Sequence, residues 1–236
     1  MSRLMSPLSS ASRPKVLAGT AWIASALDLE SGCLLYDSRV PTALNIIRRS
    51  SFTAVPWKNG GGMTQEALRV PARGDPFLWR LSVAHIDSSG PFSDFAGYRR
   101  SMVLLRGAGL TLEFGDGERR DLRRIGDSVE FDGAMPTHCE LLQGPCVDLN
   151  FMVSKSLRAD ARVVRVDRSP AALAAPESAL IFSVEAPLLL HGDAGQPVRL
   201  EPWDLAVFSQ GTVGLSRIEP EPISLPSAVF FATISH

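Results

Sequence analysis

The sequence predicts an all-β chain built from two tandem sets of short strands, and three observations carry that expectation. First, 19 glycines and 17 prolines punctuate the chain, at short intervals from residue 56 onward, a spacing that suits short strands joined by turns better than long helices. Second, apolar runs alternate with period two: Trp79, Leu81 and Val83 fall on one side of a strand, and Leu78, Arg80 and Ser82 on the other. Third, no segment carries a helical heptad pattern. A length of 236 residues fits one large all-β domain or two small ones.

Residues 1–44 read as a poorly ordered or atypical extension. MSRLMSPLSSASRPK contains no acid, and VLAGTAWIASAL is a short apolar run. A basic start, this run and Ala24-Ser25-Ala26 have the shape of a secretory signal. The run is too short to span a bilayer and is interrupted by Gly19, Thr20 and Ser25. An extension ahead of a domain that begins near Leu44 is therefore the preferred expectation, with a cytoplasmic location.

From Leu44 the β-prone runs follow in order: LNIIRRSSF, TQEALRVP, FLWRLSVAHI, SMVLLRGAGLTLEF, DSVEF and CVDLNFMV. Between Arg99 and Val153 the turn signals Gly107/Gly109, Gly115-Asp116-Gly117 and Gly126-Asp127 predict a meander of strands. After Ser154 a polar, Ala/Pro-rich connection leads to a second strand set: ALIFSVE, PLLLHGD, VRLEPWDLAVF, TVGLSRI and AVFFATI. Turns at Gly192-Asp193, Gly195 and Gly211 separate these runs. The expected modules are 45–155, holding the ligand pocket, and a smaller 156–236, with the boundary between about 155 and 175.

Charge and cysteine usage exclude several classes of function. With 24 basic and 25 acidic residues the formal net charge is -1, which gives no electrostatic case for nucleic acid or an acidic membrane. The expected partners are a small molecule and, at most, a second copy of the chain in a homodimer. Cys33, Cys139 and Cys146 are odd in number and lack metal-ligand spacing, so a reducing compartment and no disulfide framework are expected. His85, His138, His191 and His236 stand isolated, without His-x-His or a His/Glu cluster. No metal site is expected, and no cofactor: a Walker loop, a dinucleotide fingerprint and a Gly-x-Ser-x-Gly elbow are all missing.

The stretch Trp57 to Arg100 holds the densest set of site-forming residues. In Trp57-Lys58-Asn59-Gly60-Gly61-Gly62 the glycines permit close backbone approach to a bound oxygen. A mobile hairpin tip is the plainer alternative, against which stand the aromatic plate and ammonium of Trp57 and Lys58, as a carboxylate ligand requires. Arg80 and Ser82 share a polar strand face, followed by Ser93 and by Tyr98-Arg99-Arg100. An inward arginine must find an anion. Glu66, Asp94 or Asp148 in a structural ion pair, or a ligand carboxylate, would each serve. Asp148 and Asn150 alternate on one strand face and would supply a carboxylate and an amide to the same interior, or serve only strand-end hydrogen bonding. No catalytic group is assigned, although Glu66 or Asp148 would suit a general base in a cofactor-free isomerase or hydrolase.

These motifs carry a resemblance. Trp57-Lys58-Asn59-Gly60-Gly61-Gly62 with Thr64 and Glu66, Trp79-Arg80-Leu81-Ser82 with Ala84, Gly90-Pro91-Phe92-Ser93, Gly97-Tyr98-Arg99, and Gly144-Pro145 with Asp148-Leu149-Asn150 are similar to those of the HutD/Ves family. The resemblance covers about residues 44–236. It implies a bicupin, two β-barrel or jelly-roll cupin modules in one chain, without the usual cupin metal ligands and with no established enzymatic activity. It also implies a link to bacterial histidine utilisation, with a bound pathway metabolite such as formiminoglutamate or urocanate restraining the pathway. A Ves-like branch tied to cold response shares the motifs. The ligand-binding set expected on this basis is Trp57, Lys58, Asn59, Gly60, Gly61, Thr64, Glu66, Arg80, Ser82, Ser93, Arg99, Asp148 and Asn150. The extra N-terminal stretch departs from the family pattern.

Overall fold

Alternating apolar and polar residues make extended chain the favoured local state here, and a computed structural model shows it for residues 44–57, 62–71, 76–166, 178–192, 196–209, 215–221 and 227–235. Apart from a 3-10 turn at Arg49–Ser51, the regular elements among these residues are strands. In chain order they are β1 (Asn45–Ile47), β2 (Thr53–Pro56), β3 (Gly62–Val70), β4 (Trp79–Ile86), β5 (Gly90–Pro91) and β6 (Tyr98–Arg106). Then come β7 (Leu110–Phe114), β8 (Arg119–Leu122), β9 (Ser128–Asp132), β10 (Thr137–Leu141), β11 (Cys146–Ser154) and β12 (Arg158–Val166). The last are β13 (Ser178–Ser183), β14 (Leu188–Gly192), β15 (Val198–Leu200), β16 (Leu205–Ser209), β17 (Leu215–Pro220) and β18 (Ser227–Ser235). The expectations placed on residues 1–43, including Cys33, lie outside the described residues. No helix among the described residues is long and apolar enough to cross a membrane.

The strands form four antiparallel sheets. In the first barrel the six-stranded sheet β2-β3-β4-β11-β6-β9 faces the four-stranded sheet β5-β10-β7-β8. Ile86, Met102, Leu104 and Cys146 from the former meet Leu110, Leu112, Phe114, Leu122 and Cys139 from the latter. In the second barrel the five-stranded sheet β1-β16-β13-β18-β12 closes on the three-stranded sheet β15-β14-β17. Its interior is apolar: Ile181, Ala206, Phe208, Val229 and Phe231 pack against Leu188, Leu190, Leu200 and Ile218. The fold is thus the expected all-β pair of barrels.

A third apolar layer joins the barrels back to back. Trp79, Leu81, Val83, Leu149 and Phe151 on the outer face of the six-stranded sheet meet Leu180, Phe182, Leu205, Phe230 and Ala232 on that of the five-stranded sheet. Phe151 and Phe230 touch edge to face, with centroids 5.8 Å apart. Because strand side chains alternate between faces, this layer commits the odd-numbered residues of β4 and β11 outward and sends the even-numbered ones into the first barrel. Each fully buried large apolar side chain contributes about 1.5–3 kcal/mol, so the layer fixes the phase of both strands firmly.

Two details depart from the sequence reading. The run at Asn45–Ile47, grouped with the first module by position, pairs with β16 of the five-stranded sheet, Ile46 lying opposite Ala206. Leu44 and Ile46 pack on the second barrel's core and Ile47 on the layer between the barrels, so both faces of this short strand are used. The predicted meander also alternates between sheets. β7 and β8 pair with each other across the Gly115-Asp116-Gly117 turn, whereas β9 returns to β6 in the opposite sheet. Gly117 takes φ 86° and Gly107 φ 113°, a region open to glycine without a Cβ penalty.

Candidate binding site in the first barrel

The inner face of the six-stranded sheet is apolar at one end and charged at the other. Its register places Thr64, Ala84, Asp148 and Leu104 in one transverse row. The next row is Glu66, Ser82, Asn150, Met102 and Val129, and beyond it lie Arg69, Arg80, Met152, Arg100 and Phe131. A bulge between Glu66 and Leu68 makes the last row possible. One extra residue resets the phase of β3, so Leu68 and Val70 pack on the layer between barrels while both Glu66 and Arg69 face inward.

Phenylalanines close over the arginine row. The Arg69 guanidinium lies 4.9 Å from the Phe77 ring centroid, and that of Arg80 lies 5.2 Å from Phe77 and 5.3 Å from Phe95. Arg100 is caged by Phe92, Phe95 and Phe131 at 5.2, 5.5 and 4.9 Å. Ring faces attract cations and keep water off them, but they accept no N–H in the manner of an oxygen. Arg80 Nη2 also donates to Met152 Sδ over 3.4 Å. The Nε of Arg100, a residue only 4% exposed, has no hydrogen-bond partner among the described residues.

The matching acceptors lie deeper on β11. Asp148 is 1% exposed and Asn150 7%. Asn150 Nδ2 donates to Asp148 Oδ2 over 3.4 Å, while Asp148 Oδ1 and Asn150 Oδ1 are buried without a partner. Burial pushes the Asp148 carboxyl up to about 7, against the opposing pull of the Arg100 charge and the Asn150 amide. Burial likewise lowers Arg100 to about 10, with Asp148 opposing the change and Arg80 adding to it. Native proteins rarely leave so many buried polar atoms unsatisfied in one place, and each costs about 1–3 kcal/mol.

Trp57, Thr64, Glu66, Arg80, Ser82, Asp148 and Asn150 all belong to this inner wall or its rim. Trp57 packs on the first barrel's core, and its indole N–H donates to Thr64 Oγ1 over 2.8 Å. Lys58, Asn59, Gly60 and Gly61 lie outside the described residues. Ser93 is exposed in the loop after β5. Arg99 lies on the opposite face of β6 from Arg100, its Nη2 donating to Leu157 O over 3.1 Å. The arginine of that strand that faces into the barrel is therefore Arg100, one residue further on.

Arg69, Phe77, Phe95, Phe131 and Met152 were not expected at the site. Arg69 was hidden by the bulge, and the phenylalanines come from segments distant in sequence.

Of the histidines, His85 lies on the outer face of β4 with Nε2 3.4 Å from Gln65 Oε1, its pKa lowered by burial and then by Arg106. His138 is exposed between the buried Thr137 and Cys139. Among the described residues no three His, Cys, Asp or Glu side chains group to hold a metal ion, and a wall of arginines would repel one. A surface groove of about 720 Å³ lies elsewhere, lined by Arg48, Phe52, Gln65, Arg199 and Asp204. Its buried carboxylate is already satisfied: Asp204 accepts from Arg48 Nη1 at 2.7 Å and from the backbone N–H groups of Arg49 and Glu201 at 2.8 and 3.0 Å.

Two barrels back to back, the first with a charged inner wall and the second with an apolar interior, define a bicupin. The chain belongs to the HutD family, whose model, described as HutD, matches residues 49–221. A Pseudomonas putida relative described as an uncharacterized 21.2 kDa protein in the hutC 3' region is 35% identical over 144 residues, 61% of this chain and 75% of its own. Protein Ves of Escherichia fergusonii is 32% identical over 109 residues, 45% of this chain and 56% of that relative. The chain thus spans little more than half of Ves.

Among solved structures, a conserved protein of unknown function from Pseudomonas aeruginosa PAO1 aligns with TM-score 0.72 and 31% identity, over 83% of this chain and all of that one. HutD from Pseudomonas fluorescens SBW25, in its formate condition, aligns with TM-score 0.67 and 31% identity, over 82% of this chain and all of that one. An oxalate decarboxylase at 9% identity and TM-score 0.56, over 82% of this chain and 78% of its own, shares the fold alone.

Proposed function

We propose that the first barrel binds a small anionic metabolite of histidine degradation, with formiminoglutamate and urocanate as the leading candidates, and that the bound state modulates histidine utilisation without a chemical step. The observation that carries this reading is the buried Arg100 Nε, held without a partner beside Arg80 and Arg69 on one inner wall. A ligand carboxylate satisfies such a fork. The Phe77, Phe95 and Phe131 rings exclude water around it, which strengthens each charge contact. The HutD name and the hutC 3' region of the P. putida relative support a place in histidine utilisation.

Calorimetric titration of the full chain with urocanate and with formiminoglutamate tests the reading. At least one binds, and Arg80→Ala weakens it by about 2–5 kcal/mol if that change leaves a desolvated carboxylate unpaired. Unchanged affinity in both Arg80→Ala and Arg100→Met would sink the proposal.

A second reading, a cofactor-free isomerase or hydrolase, draws on one observation: burial sets the Asp148 carboxyl near neutrality at about 7, where an acid–base group works well. Ammonia release or an absorbance change on incubation with either metabolite, lost in Asp148→Asn, would favour it over simple binding.

A further inference from the structure

We infer that the ligand of the first barrel is bipolar: its carboxylate meets the arginine row, and its other end brings an N–H or O–H donor to the acceptor pair Asp148–Asn150, which makes these two residues the specificity determinants. The inference rests on the proposed carboxylate site and deepens it. Arg100 on β6 and Asp148 on β11 lie on adjacent strands of the same inner wall, buried and opposite in charge, yet they form no ion pair. The register explains the separation. Arg100 stands opposite Met152 and Asp148 opposite Leu104, so the two positions are four residues apart along the strand direction.

What remains between them is complementary in kind. At one end a buried donor, Arg100 Nε, lacks an acceptor, and at the other two buried acceptors, Asp148 Oδ1 and Asn150 Oδ1, lack a donor. A dianion with acceptors at both ends answers the first end and leaves the second worse off than water would. A molecule with a carboxylate at one end and an amide, amidine, hydroxyl or azole N–H at the other answers both. The charged groups facing Asp148 sharpen the choice. Arg100 on β6, Arg80 on β4 and Glu66 on β3 share its sheet face, and the thiols of Cys139 on β10 and Cys146 on β11 lie on the apolar side. Cys146 Sγ is directed at Gly109 O over 3.3 Å, so it is not aimed at the carboxylate. A site built to hydrogen-bond a donor rejects the analogue that lacks it by orders of magnitude, because the buried acceptors are left unpaired.

The test is a paired calorimetric titration of the full chain. Urocanate is set against 3-(2-furyl)acrylate, which keeps the acrylate and ring shape and removes the N–H. Formiminoglutamate is set against glutarate, which keeps two carboxylates and removes the nitrogen arm. In whichever pair binds, the donor-bearing member is expected to bind about 100-fold or more tightly than its partner. Asp148→Leu is expected to shrink that ratio below about 10-fold. Equal affinities within a pair would overturn the inference and leave the carboxylate site standing. No binding of any of the four probes would overturn both. Should Asp148→Leu fail to fold, the wild-type ratio decides by itself.

Discussion

Arg100 and Asp148 lie on neighbouring strands of one inner wall, 4% and 1% exposed, and make no ion pair with each other. A buried ionisable group without an ion-pair partner is expensive to charge, and this barrel holds both Arg100 and Asp148. Under the proposed function, that cost is traded for a site that recognises a ligand carboxylate.

Arg100→Met measures that trade. Methionine fills most of the same volume among Phe92, Phe95 and Phe131, and replacing buried ionic groups by apolar ones of similar size is often neutral or stabilising by about 1–4 kcal/mol. The expected outcome is an unfolding free energy equal to or above wild type, with carboxylate binding lost. Arg99→Ala is the control. It removes one hydrogen bond to Leu157 O, so it should cost about 1 kcal/mol of stability and leave binding unchanged. Urea melts and titrations of both variants check this. A clear stability loss in Arg100→Met would mean that the guanidinium is a structural pillar.

Asp148→Asn should flatten the pH dependence of stability between about pH 4 and 7. The folded carboxyl titrates at about 7 against an ordinary 3.8. Below pH 4 both states hold the proton. As pH rises through the window the unfolded chain releases it and the folded protein keeps it, so stability falls, by about 1.4 kcal/mol per unit of pKa difference at most. Above 7 the loss is complete. Asparagine has nothing to release, so the variant gains on wild type from pH 4 to pH 8 by an amount on the order of a few kcal/mol. Asp121 and Asp132, held below the usual range by Thr111 and by Lys155 respectively, titrate alike in both proteins and cancel. A constant difference in unfolding free energy across that range would contradict the placement of Asp148.

The parts of this architecture that were legible in the sequence are those that short-range pattern controls. Period-two alternation at Trp79–Ile86 put Arg80 and Ser82 on one face, and the opposite face is fixed by the apolar layer containing Trp79, Leu81 and Val83. Asp148 and Asn150 were paired for the same reason. The phase of β6 was not legible. Met102, Val103, Leu104 and Leu105 are all buried, because one face enters the barrel and the other the layer between barrels, so hydrophobicity does not tell Arg99 from Arg100. Arg69 was lost to a bulge, which leaves no trace in composition. Phe77, Phe95 and Phe131 reach the arginines through tertiary closure alone.

Cys139 and Cys146 should resist thiol reagents in the native protein. Both are buried in the first barrel's core. Burial pushes the Cys139 thiol up to about 12, with the Asp148 charge adding to it, and burial also raises Cys146. Reaction requires the thiolate and access to it, and neither thiol has either. Ellman's reagent at pH 8 should leave Cys139 and Cys146 unreacted until guanidinium is added. Rapid reaction of Cys139 or Cys146 would show that the apolar end of the barrel opens readily.

Gly62→Ala should be the most damaging single-methyl change at the site. Gly62 opens β3 opposite Ile86, and its carbonyl accepts from the Trp57 N–H over 3.0 Å. A Cβ there would stand 2.1 Å from His85 O and 3.2 Å from Trp57 Cε3. The first contact is with backbone of the paired strand, so no rotamer change relieves it, and the β3–β4 edge must part. Overpacking of this kind costs about 1–3 kcal/mol. Gly90→Ala is the comparison, since nothing lies within 4 Å of its added Cβ, and it should change stability by no more than about 0.5 kcal/mol. Because Trp57 is tied to Gly62 by its backbone and to Thr64 by its indole, the strain also reaches the row of Thr64, Ala84 and Asp148. Ligand affinity should therefore fall in Gly62→Ala under conditions where the variant is still folded, and hold in Gly90→Ala. Equal melting behaviour of the two alanine variants would mean that the Trp57 segment is not anchored on His85 as described.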